Sequence, residues 1–386
     1  MWRCSIRLSE TATSVRFFGV DPGFRNAGFT LEFENDYSPR ALSAEGGESL
    51  ASVTIKDVAR VAQVSVATVS RALNGHGNVA EEVRHRVLAA AQELRYTPHA
   101  AARSLSSRRT QTLGVVLPDL HGEFFSELMR GIDQVARAQR LHLLVSSYHG
   151  NPEEQGAALR AMRGRVDGLL VMSPFVAAPT LLSEHLEPSL PAVLINSQAG
   201  LDGTAVLGVD NHGGAMAMVE HLVASGHRRI AFIAGPQDNF DAHERLRGYR
   251  EALQRLLPGA QEWVLPGDFD EASGHRAGRE LLAASPRPDA VFAANDMMAL
   301  GCLFAFAQAG VRVPADIALA GFDDIPLARY VHPALTTIRV NIAELGARAA
   351  RLLIAKVAGE ATNESSVLMT ELIVRESSAE ANRPPS

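Results

Sequence analysis

Two groups of side chains in this 386-residue chain have the types and spacing for recognition chemistry. The first lies in Thr54 to Asn74, TIKDVARVAQVSVATVSRALN, where two short helical patterns are separated by a few residues. The second pattern carries Val66, Ala67, Ser70 and Arg71 on one face. Small residues there let a backbone approach base edges, and an arginine reaches a guanine or a phosphate. The same residues also suit any pair of core helices. The second group is spread over the carboxyl half as strand-end polar residues: Asn196, Asp210, Arg245, Asn295 and Asp323. They alternate acceptors with a bidentate donor, which fits a ligand bearing several hydroxyls. Phe124, Phe125 and Phe269 offer flat faces to a ring, although for Phe125 and Phe269 core packing explains them equally well. Asn295 or Asp323 could instead cap a helix or a turn.

Catalytic patterns are missing. There is no G-x-S-x-G elbow, phosphate loop, G-x-G-x-x-G after a first strand or H-E-x-x-H. The two cysteines, Cys4 and Cys302, are too far apart to suggest a disulfide framework, and the 13 histidines show no ligand spacing. The expectation is a protein that is not an enzyme and needs no metal or cofactor.

The elements that must position these groups follow from periodicity. Thr54 caps a helix over about Ile55 to Ala62, with Asp57 as its third residue, a variant of the capping box. Ile55, Val58, Ala59 and Ala62 form its apolar stripe. Ser65 caps a second helix whose buried stripe is Val69, Ala72 and Leu73. Glu81 to Leu94 makes a third, ended by Tyr96, Thr97 and Pro98. His99 to Ser107 has helix formers but too few apolar residues to fold alone. From Leu113 onward strands and helices alternate, first through LGVVLPDL, LHLLVSSYH, VDGLLVMSP and PAVLINS. The alternation restarts at AVLGVDN and runs to IALAGFDD. Such alternation means right-handed crossovers and two parallel sheets, with a cleft at their carboxyl ends.

Charge separates the same two parts. The net charge is −6, yet Thr54 to Gln111 holds nine basic and four acidic side chains, a surplus of five that leaves −11 on the rest. A short basic module on an acidic body fits phosphate contact confined to the module. No run approaches a membrane span, and the first residues lack the apolar core of a secretory signal, so a cytoplasmic location is expected.

The run TIKDVA, VSVATVSRALN, Tyr96-x-Pro98 and ARSL resembles the LacI/GalR family of bacterial repressors. So do GHRRIAFIAGP, RLRGY, ANDMMALG, VPADIALAGFDD, HPALTTIR and LIVRESS, and the likeness covers about residues 54 to 378. It implies a small all-α helix-turn-helix domain plus hinge, followed by an α/β two-subdomain periplasmic-binding-protein-like effector domain with parallel sheets. By position, the DNA-contacting set would be Thr54, Ser65, Val66, Ala67, Thr68, Ser70, Arg71 and Asn74, with Leu105 of the hinge as a minor-groove wedge beside Ala102. The effector set would be Phe124, Phe125, Arg245, Phe269, Asn295 and Asp323, with Asn196 and Asp210 from the strand ends and Ser173 and Asp241 as second contacts. Two departures stand out: Gln63, where many members have glycine, and Val340, where several have a polar residue.

The resulting division is an extension at 1–52, a helix-turn-helix domain at 53–97, a hinge helix and linker at 98–111, an effector-binding and dimerisation domain at 112–378, and a tail at 379–386. The expected function is a repressor that binds double-stranded operator DNA as a homodimer and responds to a small-molecule effector, a carbohydrate in the first reading and a nucleobase in the second. A periplasmic sugar-binding protein is the alternative from another class.

Overall fold

The computed structural model describes residues 53–73, 78–96, 109–175, 178–198, 204–360 and 365–378. The chain divides into two compact units at residue 97.

Among the described residues the first unit is three helices, α1 (Ile55–Ala62), α2 (Val66–Leu73) and α3 (Glu81–Glu93). Val58, Ala59 and Ala62 of α1, Val69 and Ala72 of α2, and Val87, Ala90 and Ala91 of α3 close one core, with Ile55, Leu73, Val83, Leu94 and Tyr96 packed around it. Each helix is too short to persist alone, so this shared core holds them. At the start of α1 the Asp57 carboxylate accepts from the Thr54 amide at 3.0 Å and from the Thr54 hydroxyl at 2.8 Å. These bonds hold its carboxyl down at about 2. Gln63 ends α1 in the left-handed region, at φ 54° and ψ 45°. Arg84 of α3 donates to the Ala72 carbonyl of α2 at 3.2 Å.

The second unit has two lobes. Sheet order in the first is β11-β5-β4-β3-β1-β2, built from β1 (Thr112–Leu117), β2 (His142–Ser147), β3 (Gly168–Met172), β4 (Ala192–Ile195), β5 (Ala205–Val209) and β11 (Ser366–Leu368). In the second it is β12-β10-β9-β8-β6-β7, built from β6 (Ile230–Ile233), β7 (Val264–Leu265), β8 (Ala290–Ala293), β9 (Ala318–Asp323), β10 (Thr336–Arg339) and β12 (Glu371–Ile373). All described pairings are parallel except β10 with β12. Central strands such as Gly168–Met172 and Ala290–Ala293 are buried throughout, as sheets covered by helices on both faces require.

The helices of this unit are α4 (Glu123–Ala138), α5 (Pro152–Met162), α6 (Ala178–His185), α7 (Asn211–Ala224), α8 (Phe240–Leu256), α9 (Glu271–Ala283), α10 (Asp296–Gln308) and α11 (Ile342–Val357). Among the described residues, no helix is long and apolar enough to cross a membrane.

Two features differ from the alternation read in sequence. AVLGVDN does not open the second sheet: β5 pairs with β4 in the first, Leu194 opposite Val206, and the chain crosses over only after Val209. It crosses back after β10, and α11 packs on α4, β3 and β4 of the first lobe. A third crossing separates β11 from β12, so three neighbouring segments join the lobes.

Candidate functional site

On the first unit the face expected to read DNA is open. Val66 is 41% exposed, Ala67 and Arg71 are exposed, and Thr68 and Ser70 are half-buried. Ser65 and Thr68 are tied to each other: the Thr68 amide donates to Ser65 Oγ at 3.1 Å and the hydroxyls lie 2.9 Å apart. This is an N-cap, and it starts α2 at Val66 with its first side chains free. Thr54 is exposed but its hydroxyl is engaged by Asp57. Asn74, Ala102, Leu105 and the hinge from 98 to 108 lie outside the described residues, as do the extension at 1–52 and the tail at 379–386.

Between the lobes of the second unit lies a cavity lined by residues of both, mixing apolar surface with a few polar groups as small-molecule sites do. The first lobe supplies an apolar wall from Pro118, Phe124, Phe125, Met172 and Pro174, with His121 at the rim. The second lobe supplies Asn239, Asp241, Arg245, Asn295 and Asp323, together with Phe269, Glu271 and Met297. The lobes meet beside it. Phe240 N donates to the Pro174 carbonyl at 2.7 Å, and Leu327 N donates to the Glu123 carboxylate at 2.9 Å. His121 and Glu271 face each other at 3.8 Å across the mouth.

Arg245, on α8, organises the polar wall. Its Nε donates to Asn211 Oδ1 at 2.8 Å, Nη1 to the Ala294 carbonyl at 2.6 Å, and Nη2 lies 3.1 Å from Asp323 Oδ1. The guanidinium carbon stands 3.8 Å from the Phe322 ring centre and 5.7 Å from that of Phe269. Asp241, one turn earlier, accepts from Asn196 Nδ2 at 2.8 Å and Asn211 Nδ2 at 2.9 Å. Arg245, Asp241 and Asp323 are all buried. Burial pushes the Asp241 and Asp323 carboxyls up to about 6, against the opposing pull of Arg245. Beneath them the Asp296 carboxyl is also raised well above the ordinary value, by burial and by the Asp323 charge, although it accepts from the Thr337 hydroxyl at 2.6 Å and from Ile325 N at 2.9 Å.

Backbone strain gathers here. Asn196, Phe269, Asp323 and Asp324 all have positive φ, at 47°, 65°, 111° and 53°. Non-glycine residues in this region carry a cost that surrounding structure must sustain, and such residues cluster at binding sites. Gly235 leaves the room Phe269 needs, since a Cβ there would stand 2.4 Å from the ring.

Of the expected effector residues, Phe124, Phe125, Asp241, Arg245, Phe269, Asn295 and Asp323 line the cavity. Asn295 is also the cap of α10, accepting from Met298 N at 2.9 Å while its Nδ2 donates to the Phe269 carbonyl at 2.9 Å. Asn196 lies behind Asp241, and Ser173 is fully buried beside Tyr148. Asp210 is not in the wall; it caps α7, accepting from Gly213 N at 2.9 Å. Its neighbour Asn211 carries the network instead, because consecutive helical residues point about 100° apart. Val340 is buried away from this cavity and lines a separate depression beside Arg339 and Asn341. Sequence reasoning missed Asn211, Asn239, Glu271, His121 and the Pro and Met residues of the wall; for Asn239 the available signal was its place as the cap of α8. The Phe124 and Phe125 rings are 5.5 Å apart at 82°, an edge-to-face pair that cannot hold a flat base between parallel faces.

Residues 54–99 match the family model of bacterial regulatory proteins of the lacI family, and residues 219–378 match a periplasmic binding protein-like domain. The ribose operon repressor of Escherichia coli (strain K12) is 38% identical over 332 residues, covering 84% of this chain and 99% of that one. The chain belongs to the lacI family of bacterial regulatory proteins. It is a DNA-binding transcriptional regulator of the repressor class. Solved lacI-family relatives share its architecture. A lac repressor dimer bound to operator and the anti-inducer ONPF superposes with TM-score 0.76 at 30% identity, covering 85% of this chain and 99% of that one. A regulator from Enterococcus faecium with bound ribose superposes with TM-score 0.64 at 29% identity, covering 70% and 99%.

Proposed function

We propose that this lacI-family protein is a homodimeric repressor that holds a pseudo-palindromic operator and releases it when a sugar occupies the cavity between the lobes. The observation that carries the reading is Arg245, fixed between Asp241 and Asp323 opposite the Phe124 and Phe125 wall. Polar groups on one lobe and rings on the other make a ligand with hydroxyls on its edges and an apolar ring face a bridge between lobes. The bound regulator from Enterococcus faecium, which holds ribose, supports a carbohydrate. Asp323, Arg245 and Asp241 then anchor hydroxyls, while Phe269, Phe124 and Phe125 cover the ring. Asn196 and Ser173 act from behind the wall.

In this reading Val66, Ala67 and Arg71 select the site, and Leu105 of the hinge opens the central minor-groove step. Two copies are needed because a single three-helix unit makes too few contacts for a specific site. Effector occupancy shifts the lobe equilibrium away from the state in which the hinge engages DNA. The protein works in the cytoplasm and performs no catalysis. Fluorescence anisotropy on operator DNA from the flanking genome, titrated with neutral sugars, tests this. At least a tenfold loss of DNA affinity with one sugar is expected. Tightening by a nucleobase with no response to sugars overturns it in favour of corepression.

A further inference from the structure

The charges of the cavity wall say more than that hydroxyls fit. Three carboxylates line it, Asp241, Glu271 and Asp323, against a single guanidinium, that of Arg245. That guanidinium is already committed. Its Nε donates to Asn211 and its Nη1 to the Ala294 carbonyl, its Nη2 is ion-paired with Asp323, and its flat face is packed on Phe322. A phosphate or carboxylate is recognised by a guanidinium edge with two free parallel N–H groups. An anion gripped by the Nε and Nη2 edge must displace Asn211 and Asp323. It would then leave a carboxylate that is 5% exposed without its counter-charge. The other carboxylates offer no relief. Asp241 is held by two amide donors, and Glu271 faces only His121 across the mouth. Asp296 lies below, raised by burial and by the Asp323 charge, and beyond it the Asp324 carboxylate is paired with Arg339 and Arg375.

We propose that this cavity selects effectors that carry no anionic group, and that Asp241, Asp323 and Glu271 exclude phosphorylated and carboxylated sugars while admitting neutral polyols. The proposal rests on the reading of the cavity as the effector site. Burial pushes the Asp241 and Asp323 carboxyls up to about 6, because this wall is poorly hydrated and favours the uncharged form. A further anion about 5 Å away at an effective dielectric of about 20 is disfavoured by roughly 100-fold in binding for each uncompensated pair.

The test is isothermal titration calorimetry with matched pairs: D-ribose and D-ribose 5-phosphate, D-glucose and D-glucose 6-phosphate, D-galactose and D-galacturonate. Operator release is measured in parallel by anisotropy. The expected result is that a neutral sugar binds and its anionic partner binds at least about 100-fold more weakly. In Glu271→Gln and Asp241→Asn that ratio should fall about tenfold or more. Circular dichroism checks that each variant is folded, and Glu271, at the rim, gives the variant with least risk to the fold. Tighter binding and operator release by a phosphorylated or acidic sugar overturn the charge proposal and leave the effector reading standing. An unchanged ratio in both folded variants overturns the role of these carboxylates. Absence of binding by every member of both classes overturns the sugar reading and this proposal with it.

Discussion

Arg245 Nη2 lies 3.1 Å from Asp323 Oδ1, with both side chains about 5% exposed, and this pair joins helix α8 to the end of strand β9. The two residues are far apart in sequence, and among the described residues neither has another group of opposite charge as close. Removing one member of such a pair leaves the other charged and buried, which costs about 3–5 kcal/mol. Arg245→Lys should therefore lower the stability of the second unit, because an ammonium cannot serve Asn211, the Ala294 carbonyl and Asp323 from one plane. Sugar response should be lost while operator binding remains. Calorimetry and gel shifts check this, and a variant that still releases DNA on sugar addition refutes the role given to Arg245.

Asp241 and Asp323 also set a pH dependence. Burial raises both carboxyls from the ordinary 3.8 to about 6, partly countered by Arg245. The folded protein thus keeps these protons to about pH 6, while the unfolded chain loses them near pH 4. Between those values the native state binds more protons, so stability falls as pH rises through the window and is level above it. Asp241→Asn should flatten this part of the curve. Thermal unfolding at pH steps from 4 to 7 measures it; an identical slope in the variant shows the titration lies elsewhere.

Gln63 ends α1 with φ 54°, a conformation that costs a residue with a side chain about 1 kcal/mol and glycine almost nothing. Gln63→Gly should stabilise the three-helix unit by about 0.5–1 kcal/mol. Urea unfolding of Gln63→Gly and the parent protein compares them directly, and destabilisation by glycine would mean that the Gln63 side chain has contacts outweighing its backbone strain.

Val66 opens α2 at 41% exposure and supports no core. Val66→Ser should leave stability within about 0.5 kcal/mol, as for most surface changes, yet alter preference at one base step by about 1–3 kcal/mol. Operator-library selection reads the change. Leu105→Ala, in the hinge that the family resemblance assigns to the minor groove, should weaken operator binding and leave sugar affinity unchanged; normal DNA affinity would sink the wedge.

The strands were legible because sheets covered on both faces leave a plain mark, short apolar runs such as AVLI at 192–195 and AVFA at 290–293. The three helices of the first unit were equally plain, since their stripes repeat with the helical period and Thr54 and Ser65 announce their starts. Lobe membership was not. Residues 205–209 look like any strand beginning a new alternation, and nothing local says that Leu194 will lie opposite Val206. The long helix at 342–357 returns to the first lobe for the same reason: which sheet a segment joins depends on where the chain crosses.

The cavity divides in the same way. Residue type and the family resemblance together nominated Arg245, Asp323 and Phe269, although capping suited Asp323 and core packing suited Phe269 as well. They could not choose between Asp210 and Asn211, adjacent residues that turn to different sides of one helix start. Nor could they find His121 facing Glu271, which are brought together from different lobes. Composition, period and spacing determined that this chain has a basic helical module and two parallel sheets, since those depend on neighbours within a few residues. Tertiary structure alone decided which polar groups are already spent on one another, and so what kind of ligand the cavity has left to bind, because hydrogen-bond partners and net local charge arise only where distant segments meet.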